Sequence, residues 1–386
     1  MKIKKLIIPV ILLALCSCSD MSGLPESSES QPVTTYSQDL GQLYIDIPEG
    51  YAPLNYQTQI GQWFPYMYYS DYMYGKSADE FRSSVREMFS AAKANNVNTV
   101  YLHVHPCGDA YYDSEIFPKG VSLDGDYDPL EIMLEEAHSL ELSAHAWLNP
   151  LRLQTEEQME NIPDSFITKQ WTKEPEKNLV KNINGRWYLN PAYEETSELL
   201  SQCVNELLEN YDLDGIHIDD YFYPTTDTEF DREAFEASGS SDLTEWRMEN
   251  CTRFVKAIYD AVKSHDKRIL FGISPQGNIN ANYTSQYADV KLWGGNKGYC
   301  DYIVPQIYFG FENSACPFDK TLAEWEILRG DSGVELIIGL APYKLGKEDK
   351  WAGEFGEQEW IDNPDIISRQ IELVNNSSAE GYALYY

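Results

Sequence analysis

Residues 211–224 read YDLDGIHIDDYFYP. An apolar, β-branched run ends there in two adjacent carboxylates and an aromatic turn, the pattern of a parallel strand opening onto a site. Leu213, Ile216 and Ile218 supply the strand character, Gly215 allows close backbone approach, and Pro224 blocks continuation. Side chains alternate along a strand, so Ile216 and Ile218 face one side while His217 and Asp219 face the other. Asp220 falls just past the strand end. In a barrel of parallel strands the C-terminal strand ends carry the chemistry, which makes this the first place to look for a site.

The same unit recurs on both sides. GQWFPYMYYSDYM predicts a first strand over residues 62–69, with Asp71 beyond it. Ser77 and Glu80 then form a capping box, and Phe81, Val85, Met88, Phe89 and Ala92 recur at helical spacing. NTVYLHVHPCGDAYYDS predicts a second strand over residues 98–104, and Asp128-Pro129 opens the next helix. LSAHAWLNP is a third strand, followed by a long excursion to Tyr188 before Asn190-Pro191 starts another helix. Loops this long are usually functional or disordered, and this one, leaving a strand end with Arg152, Trp171, Trp187 and Tyr188, is expected over the barrel mouth.

After the fourth strand and a helix over residues 243–262, the strands continue as RILFGISPQGN, CDYIVPQIYFGFEN, ELIIGLAPYK and GYALYY, with helices near residues 318–328 and after Asn363-Pro364. Eight strand patterns alternating with about seven helical ones predict an α/β fold, a (β/α)8 TIM barrel. The alternative is an open doubly wound sheet. Against it, no GxGxxG or GxxxxGKS loop occurs, and polar clusters follow nearly every strand instead of one switch point. No helix pattern follows the eighth strand: either a final helix lies beyond the residues given, or residues 42–60 cover that face.

The N-terminus, MKIKKLIIPVILLALCSC, has a Lys-rich start, a short apolar run and two cysteines, as in a secretory signal. The small Ser17 before Cys18 makes Cys18 the better lipid acceptor of a lipobox-like site; the plainer reading is a cleaved signal without lipid. The expected organisation is a leader over residues 1–18, a Ser/Pro-rich tether over 19–41 and a barrel over 42–386, in an exported, membrane-anchored protein. The other five cysteines, Cys107, Cys203, Cys251, Cys300 and Cys316, have neither disulfide-framework nor zinc spacing, although a Cys300–Cys316 bridge is compatible with export. With 29 Lys and Arg against 62 Asp and Glu, the net charge of −33 disfavours nucleic acid and anionic membrane surfaces as electrostatic partners. A weakly charged or uncharged substrate fits better, and no cofactor motif is present.

At the predicted strand ends stand Asp71, His105, Asp109, His145, Trp147, Asn149, Asp219, Asp220, Gln276, Gln306, Tyr308, Glu312 and Tyr343. Hydrolysis of a glycosidic bond usually needs two carboxylates, one giving a proton and one acting as nucleophile or base, with aromatic platforms for the sugar rings. Singly, each residue has a plainer reading as a loop closer or a satisfied barrel side chain; their convergence on one rim is what favours a site.

The ordered series HPCGDAYYDS, AHAWLNPLR, WYLNP, DGIHIDDYFYP, GISPQGN, DYIVPQIYF and IGLAPYKLG resembles the bacterial glycosyl-hydrolase-like family ten over residues 60–386. The resemblance implies a cell-envelope barrel glycosidase acting on a polysaccharide, with peptidoglycan glycan strands as the family-level substrate. One departure is His105, where family members typically carry Arg; an imidazole in place of a fixed cation alters the pairing with nearby carboxylates. DGIHIDDY is also similar to the DGxDxDxE strand of chitinase-type barrels, but Tyr221 stands in the acid's place and His217 replaces an Asp, so that assignment does not carry over. The expected roles follow. Asp219 is nucleophile, base or acetamido-orienting group; Asp220 is the first candidate proton donor, with Asp109 and Glu312 behind it. His105, Tyr223 and Tyr308 bind and tune, Trp147, Trp187 and Arg152 contact glycan, and His145, Asn149, Tyr221, Gln306 and Tyr343 complete the binding set. Carboxylates about 5 Å apart give retention and about 7 to 9 Å inversion.

Two other readings compete. A non-catalytic glycan-binding lipoprotein on the same barrel is favoured by the loss of the chitinase-type acid. A calcium site at Asp109, Asp219 and Asp220 needs several oxygen ligands, and the EF-hand loop pattern is absent.

Overall fold

The computed structural model describes residues 51–219 and 221–386; the expected leader, Cys18, the tether and Asp220 lie outside the described residues. Three strands, β1 (Gln59–Phe64), β2 (Thr99–His105) and β3 (Ser143–Leu148), are followed by a separate antiparallel sheet of β4 (Arg152–Thr155), β5 (Val180–Ile183) and β6 (Arg186–Leu189) in the order β4-β6-β5. The chain then returns for β7 (Gly215–Ile218), β8 (Leu270–Ile273), β9 (Tyr302–Ile303), β10 (Glu335–Leu340) and β11 (Gly381–Leu384). Apart from the inserted sheet, these strands close into one eight-stranded parallel barrel, shut by the pairing of β11 with both β10 and β1. With helices between most of the strands, this is the (β/α)8 TIM barrel that the periodicity predicts.

Local chemistry fixes the helix starts. Ser77 and Glu80 form the reciprocal capping box of helix Ala78–Ala94, and the Asp128 carboxylate accepts the Leu130 and Glu131 N–H groups at the start of helix Pro129–Ser139. The first strand ends earlier than the tyrosine-rich run suggests. Pro65 has no N–H for the ladder, and the chain turns at once into short helical turns, Tyr66–Tyr68 and Tyr69–Tyr72. The helix after Asn190-Pro191 begins at Glu194, because Asn190 is spent on the turn: its side chain reaches the Asn178 carbonyl and the Ala192 N–H. β9 is short for the same reason as β1. Pro305 interrupts it, and Gln306 resumes only as single bridges to Gln276 and Gly339.

The long excursion after β3 is a folded insertion, with β4–β6 and the short helices Glu156–Glu160 and Ile167–Thr172 packed through Leu153, Met159 and Trp171 onto the main apolar cluster. Ile216 and Ile218 belong to that cluster, between barrel and helices, whereas His217 lies inside the barrel.

Glycines make room for this interior. A Cβ on Gly61 would stand 2.6 Å from the Tyr101 ring, one on Gly215 2.5 Å from His145, and one on Gly272 1.9 Å from Tyr302. The rings so seated form a hydrogen-bonded column: Trp63 Nε1 to His217 Nε2 at 3.2 Å, His217 Nδ1 to the Tyr302 hydroxyl at 3.0 Å, that hydroxyl to His145 Nδ1 at 2.7 Å, and His145 Nε2 to Ser143 Oγ at 3.1 Å. An indole N–H only donates, so neutral His217 carries its proton on Nδ1 and gives it to Tyr302. Tyr302 then donates to His145, which passes its Nε2 proton to Ser143. Burial holds His217 well below the usual histidine range and pushes His145 down to about 4, so both are the neutral forms this direction requires.

Below the barrel, residues 51–58 cross the N-terminal strand ends. Tyr51 donates to Asp214 at 2.7 Å, Asn55 to the Arg268 carbonyl at 2.9 Å and Tyr56 to the Glu141 carbonyl at 2.6 Å. The outer side of β1 is instead an apolar groove of about 340 Å³ lined by Phe64, Tyr69, Val85, Met88, Phe89 and Tyr386. All five described cysteines are free thiols, so Cys300 and Cys316 are not bridged.

Candidate active site

The C-terminal strand ends surround a cavity of about 400 Å³. Its wall is largely aromatic: Trp63 from β1, Trp147 from β3, Tyr308 from beyond β9, Tyr343 from beyond β10 and Tyr385 from beyond β11. The rings brace one another, with Tyr308 stacked on Tyr385 at 6.1 Å and 23°, and Tyr343 edge-on to both. The polar members are His103, Asn149, Arg152, Asp219, Tyr221 and Gln306.

Asp219 continues the inward register of His217 one step past β7 and is buried at the cavity. Its Oδ1 accepts the Tyr221 N–H at 3.4 Å, and its charge helps raise the Tyr385 phenol, whose main cause is burial. The loop it opens is anchored from behind by Arg247, fully buried on helix Leu243–His265. That guanidinium donates to both oxygens of Asp231 at 2.8 and 2.6 Å, to the Asp227 carbonyl at 2.7 Å and to the Tyr287 hydroxyl at 3.0 Å. It lies between the Tyr223 and Tyr287 rings, at 5.0 and 4.9 Å. Tyr223, a candidate glycan contact, is therefore spent on this clamp, its hydroxyl donating to Asp231.

Strand β2 places its histidines differently from simple alternation. His103 pairs with Trp147 and His105 with Leu148, so the intervening Val104 is a bulge. His105 is turned out of the mouth, onto the Phe117 ring at 4.2 Å and the Asp109 carbonyl at 2.9 Å. His103 takes the cavity position, flat against Trp147. Burial pushes His105 down to about 4 and His103 well below its usual range, so neither ring is a cation at neutral pH. Asp109 is buried behind the mouth with one carboxylate oxygen on the Cys107 N–H at 2.9 Å, and burial raises its carboxyl to about 6.

Of the remaining candidates, Trp147, Asn149, Arg152, Tyr221, Gln306, Tyr308 and Tyr343 line the cavity. His145 lies lower, in the interior column, and Trp187 packs against the main cluster from β6. Glu312 is exposed on the loop after β9, where its N–H and that of Phe311 are held by Glu359 at 2.9 Å. Trp63, Tyr66, Met67, His103 and Tyr385 are mouth residues that the candidate set lacks. Inward alternation from Gly61 and Gly381 finds Trp63 and Tyr385 once the strand ends are known. Among the described residues no group of three or more His, Cys, Asp or Glu side chains is placed to hold a metal ion.

The model of the family described as Glycosyl hydrolase-like 10 matches residues 65–356. Glycosyl hydrolase YngK of Bacillus subtilis is 29% identical over 332 residues, which cover 78% of this chain and 63% of that protein, so the chain spans less than two thirds of that relative. Glycosyl hydrolase DigH of Escherichia coli K12 is 28% identical over 309 residues, 72% of this chain and 69% of that protein. Among solved structures, alpha-L-fucosidase isoenzyme 2 from Paenibacillus thiaminolyticus superposes with a TM-score of 0.51 at 12% identity, over 86% of this chain and 46% of that one. An alpha-amylase from Geobacillus thermoleovorans gives 0.50 at 12% identity, over 86% and 71%. At these identities the two structures speak for the barrel alone.

Proposed function

The chain belongs to the glycosyl hydrolase-like 10 family, and from that premise we propose that it is a glycoside hydrolase of the cell envelope, cleaving the N-acetylated glycan strands of peptidoglycan. The observation that carries this reading is Asp219, a buried carboxylate at the end of β7, set in a mouth walled by Trp63, Trp147, Tyr308, Tyr343 and Tyr385. Aromatic faces suit the apolar faces of sugar rings, and the carboxylate suits the charge that develops at the anomeric carbon.

Hydrolysis adds water across the C1–O bond. Asp219 acts on the anomeric side, as nucleophile, as base for the attacking water or by orienting an acetamido group. A carboxylic acid, with Asp220 as the candidate, protonates the departing oxygen, and the hydroxyl of water ends on C1; Asp109 and Glu312 do not line the cavity. The leader-like N-terminus with Cys18 supports export and a lipid anchor on the extracytoplasmic side.

The test is release of new reducing ends from purified glycan strands. The parent protein should release them, and Asp219→Asn and Asp220→Asn should each abolish release while leaving the fold intact. A second reading, a non-catalytic glycan binder, is favoured by one observation: among the described residues, Asp219 is the one carboxylate that lines the cavity. Binding with no release by the parent protein selects it.

A further inference from the structure

Of the ten arginines, Arg82, Arg86, Arg232, Arg247, Arg268 and Arg329 pair with a carboxylate, and Arg152, Arg186, Arg253 and Arg369 form no ion pair among the described residues. Of these four, Arg152 is the one that lines the mouth. Its guanidinium lies 5.1 Å over the Tyr221 ring. The inserted sheet delivers it: β4 pairs Arg152 with Tyr188 and Thr155 with Arg186. Arg186 likewise has no ion pair among the described residues; its Nη1 donates to the Leu153 carbonyl at 2.7 Å. The fields of both guanidinia reach Tyr66, Cys107 and Asp109.

Around Arg152 the mouth also holds buried polar atoms with nothing to bond. They are Nε1 of Trp147, both ring nitrogens of His103 and Oδ1 of Asn149, on side chains 5%, 2% and 1% exposed. Leaving such atoms dry is costly, and a desolvated cation more so, unless a ligand completes them. The cavity is polarised as well: Asp219 acts on Tyr385, by β11, whereas Arg152 acts on His103 and Cys107, at the end of β2.

We propose that Arg152 is a carboxylate subsite: the glycan accepted in this mouth carries an acidic sugar, whose carboxylate, on the ring or on an ether substituent, takes the guanidinium while its neutral polar groups meet Trp147, His103 and Asn149. The subsite rests on the glycan-binding reading of the mouth but not on hydrolysis. Bidentate carboxylate recognition by Arg fixes one end of the sugar, and with it the orientation of the chain across Asp219.

The test changes the ligand as well as the protein. Peptide-free peptidoglycan strands with their lactyl carboxylates intact, and a uronic-acid polymer, are each compared with the same polymer after chemical reduction of the carboxylates to alcohols. Binding is measured by calorimetry with the full chain and with Arg152→Gln and Arg152→Lys. Reduction should weaken binding of the parent by about tenfold or more for at least one polymer, R152Q should no longer distinguish the two forms, and R152K should fall between. Raised salt should weaken only the carboxylate-dependent binding. The polymer showing the dependence identifies the carrier of the carboxylate.

Equal binding of intact and reduced polymer by the parent overturns the subsite, even if both are hydrolysed. Carboxylate-dependent binding with no release of reducing ends upholds it while ending the hydrolase reading. No binding of either polymer overturns both.

Discussion

His103 lies flat against Trp147, ring centroids 3.7 Å apart and planes 11° from parallel, on the wall of the barrel mouth. The two come from adjacent strands at one register position. The contact keeps the Trp147 face in place and leaves the imidazole nitrogens without hydrogen bonds. His103→Ala should therefore raise KM for glycan several-fold and cost about 1 to 3 kcal/mol of stability through the space it opens. Steady-state kinetics and denaturant unfolding of the same variant separate the two effects.

The buried histidines make the fold acid-labile. His105 and His145 titrate at about 4, below the ordinary 6.5, so the unfolded chain binds more protons between those values. Stability is then highest above about 6.5 and falls as pH drops toward 4, by on the order of 2 to 3 kcal/mol for each ring. Thermal unfolding at pH 7.5, 6 and 5 should show a steadily falling Tm. A flat profile contradicts the burial of His105 and His145 as neutral rings.

Glu335 behaves in the opposite sense. Burial first, then Glu380 and Asp301, raise its carboxyl to about 7 from 4.5. A raised folded pKa stabilises fully below about 4.5, and that contribution is lost as pH rises through 7. Glu335→Gln should therefore raise Tm at pH 8 and change it little at pH 4.5. The gain is about 1 kcal/mol, since the side chain is partly exposed. Paired melting curves at the two pH values check it.

Arg247→Met leaves Asp231 buried without its cation and should cost about 3 to 5 kcal/mol. The loop from Asp219 to Asp231 loses its anchor, so kcat should fall more than global unfolding explains. Hydrogen exchange should show faster amides in residues 221–231 well below the new Tm. Unchanged exchange there would mean the clamp is not what orders the loop.

Gly272 has no space for a side chain, because a Cβ would stand 1.9 Å from Tyr302 Cζ. Gly272→Ala should destabilise by at least about 2 kcal/mol and displace the Tyr302 hydroxyl from both histidines. Denaturant unfolding checks the first effect and histidine NMR shifts the second.

Much of the fold is written locally, and those parts are legible from sequence. The capping box at Ser77 and Glu80, the Asp128-Pro129 start, and the outward Ile216 and Ile218 against inward His217 depend only on near neighbours and alternation. What is illegible is non-local. The Val104 bulge exists only in the pairing of β2 with β3, and it exchanges His105 for His103 at the mouth. The excursion after β3 has short, mixed strands whose identity as a sheet comes from β4 and β5 both pairing with β6. Tyr223 reads as a residue that binds and tunes until Arg247, 24 residues on by sequence number, is seen against its ring.

The central claim, that the mouth around Asp219 seats a glycan for cleavage, is tested most directly by a crystal structure of Asp219→Asn with a bound oligosaccharide. The predicted result is a sugar ring against the wall of Trp63, Trp147, Tyr308 and Tyr385, with a glycosidic carbon or its acetamido group within hydrogen-bond or van der Waals reach of residue 219. Oligosaccharide bound only outside the barrel, for instance in the apolar groove beside β1, with the mouth empty, would contradict it.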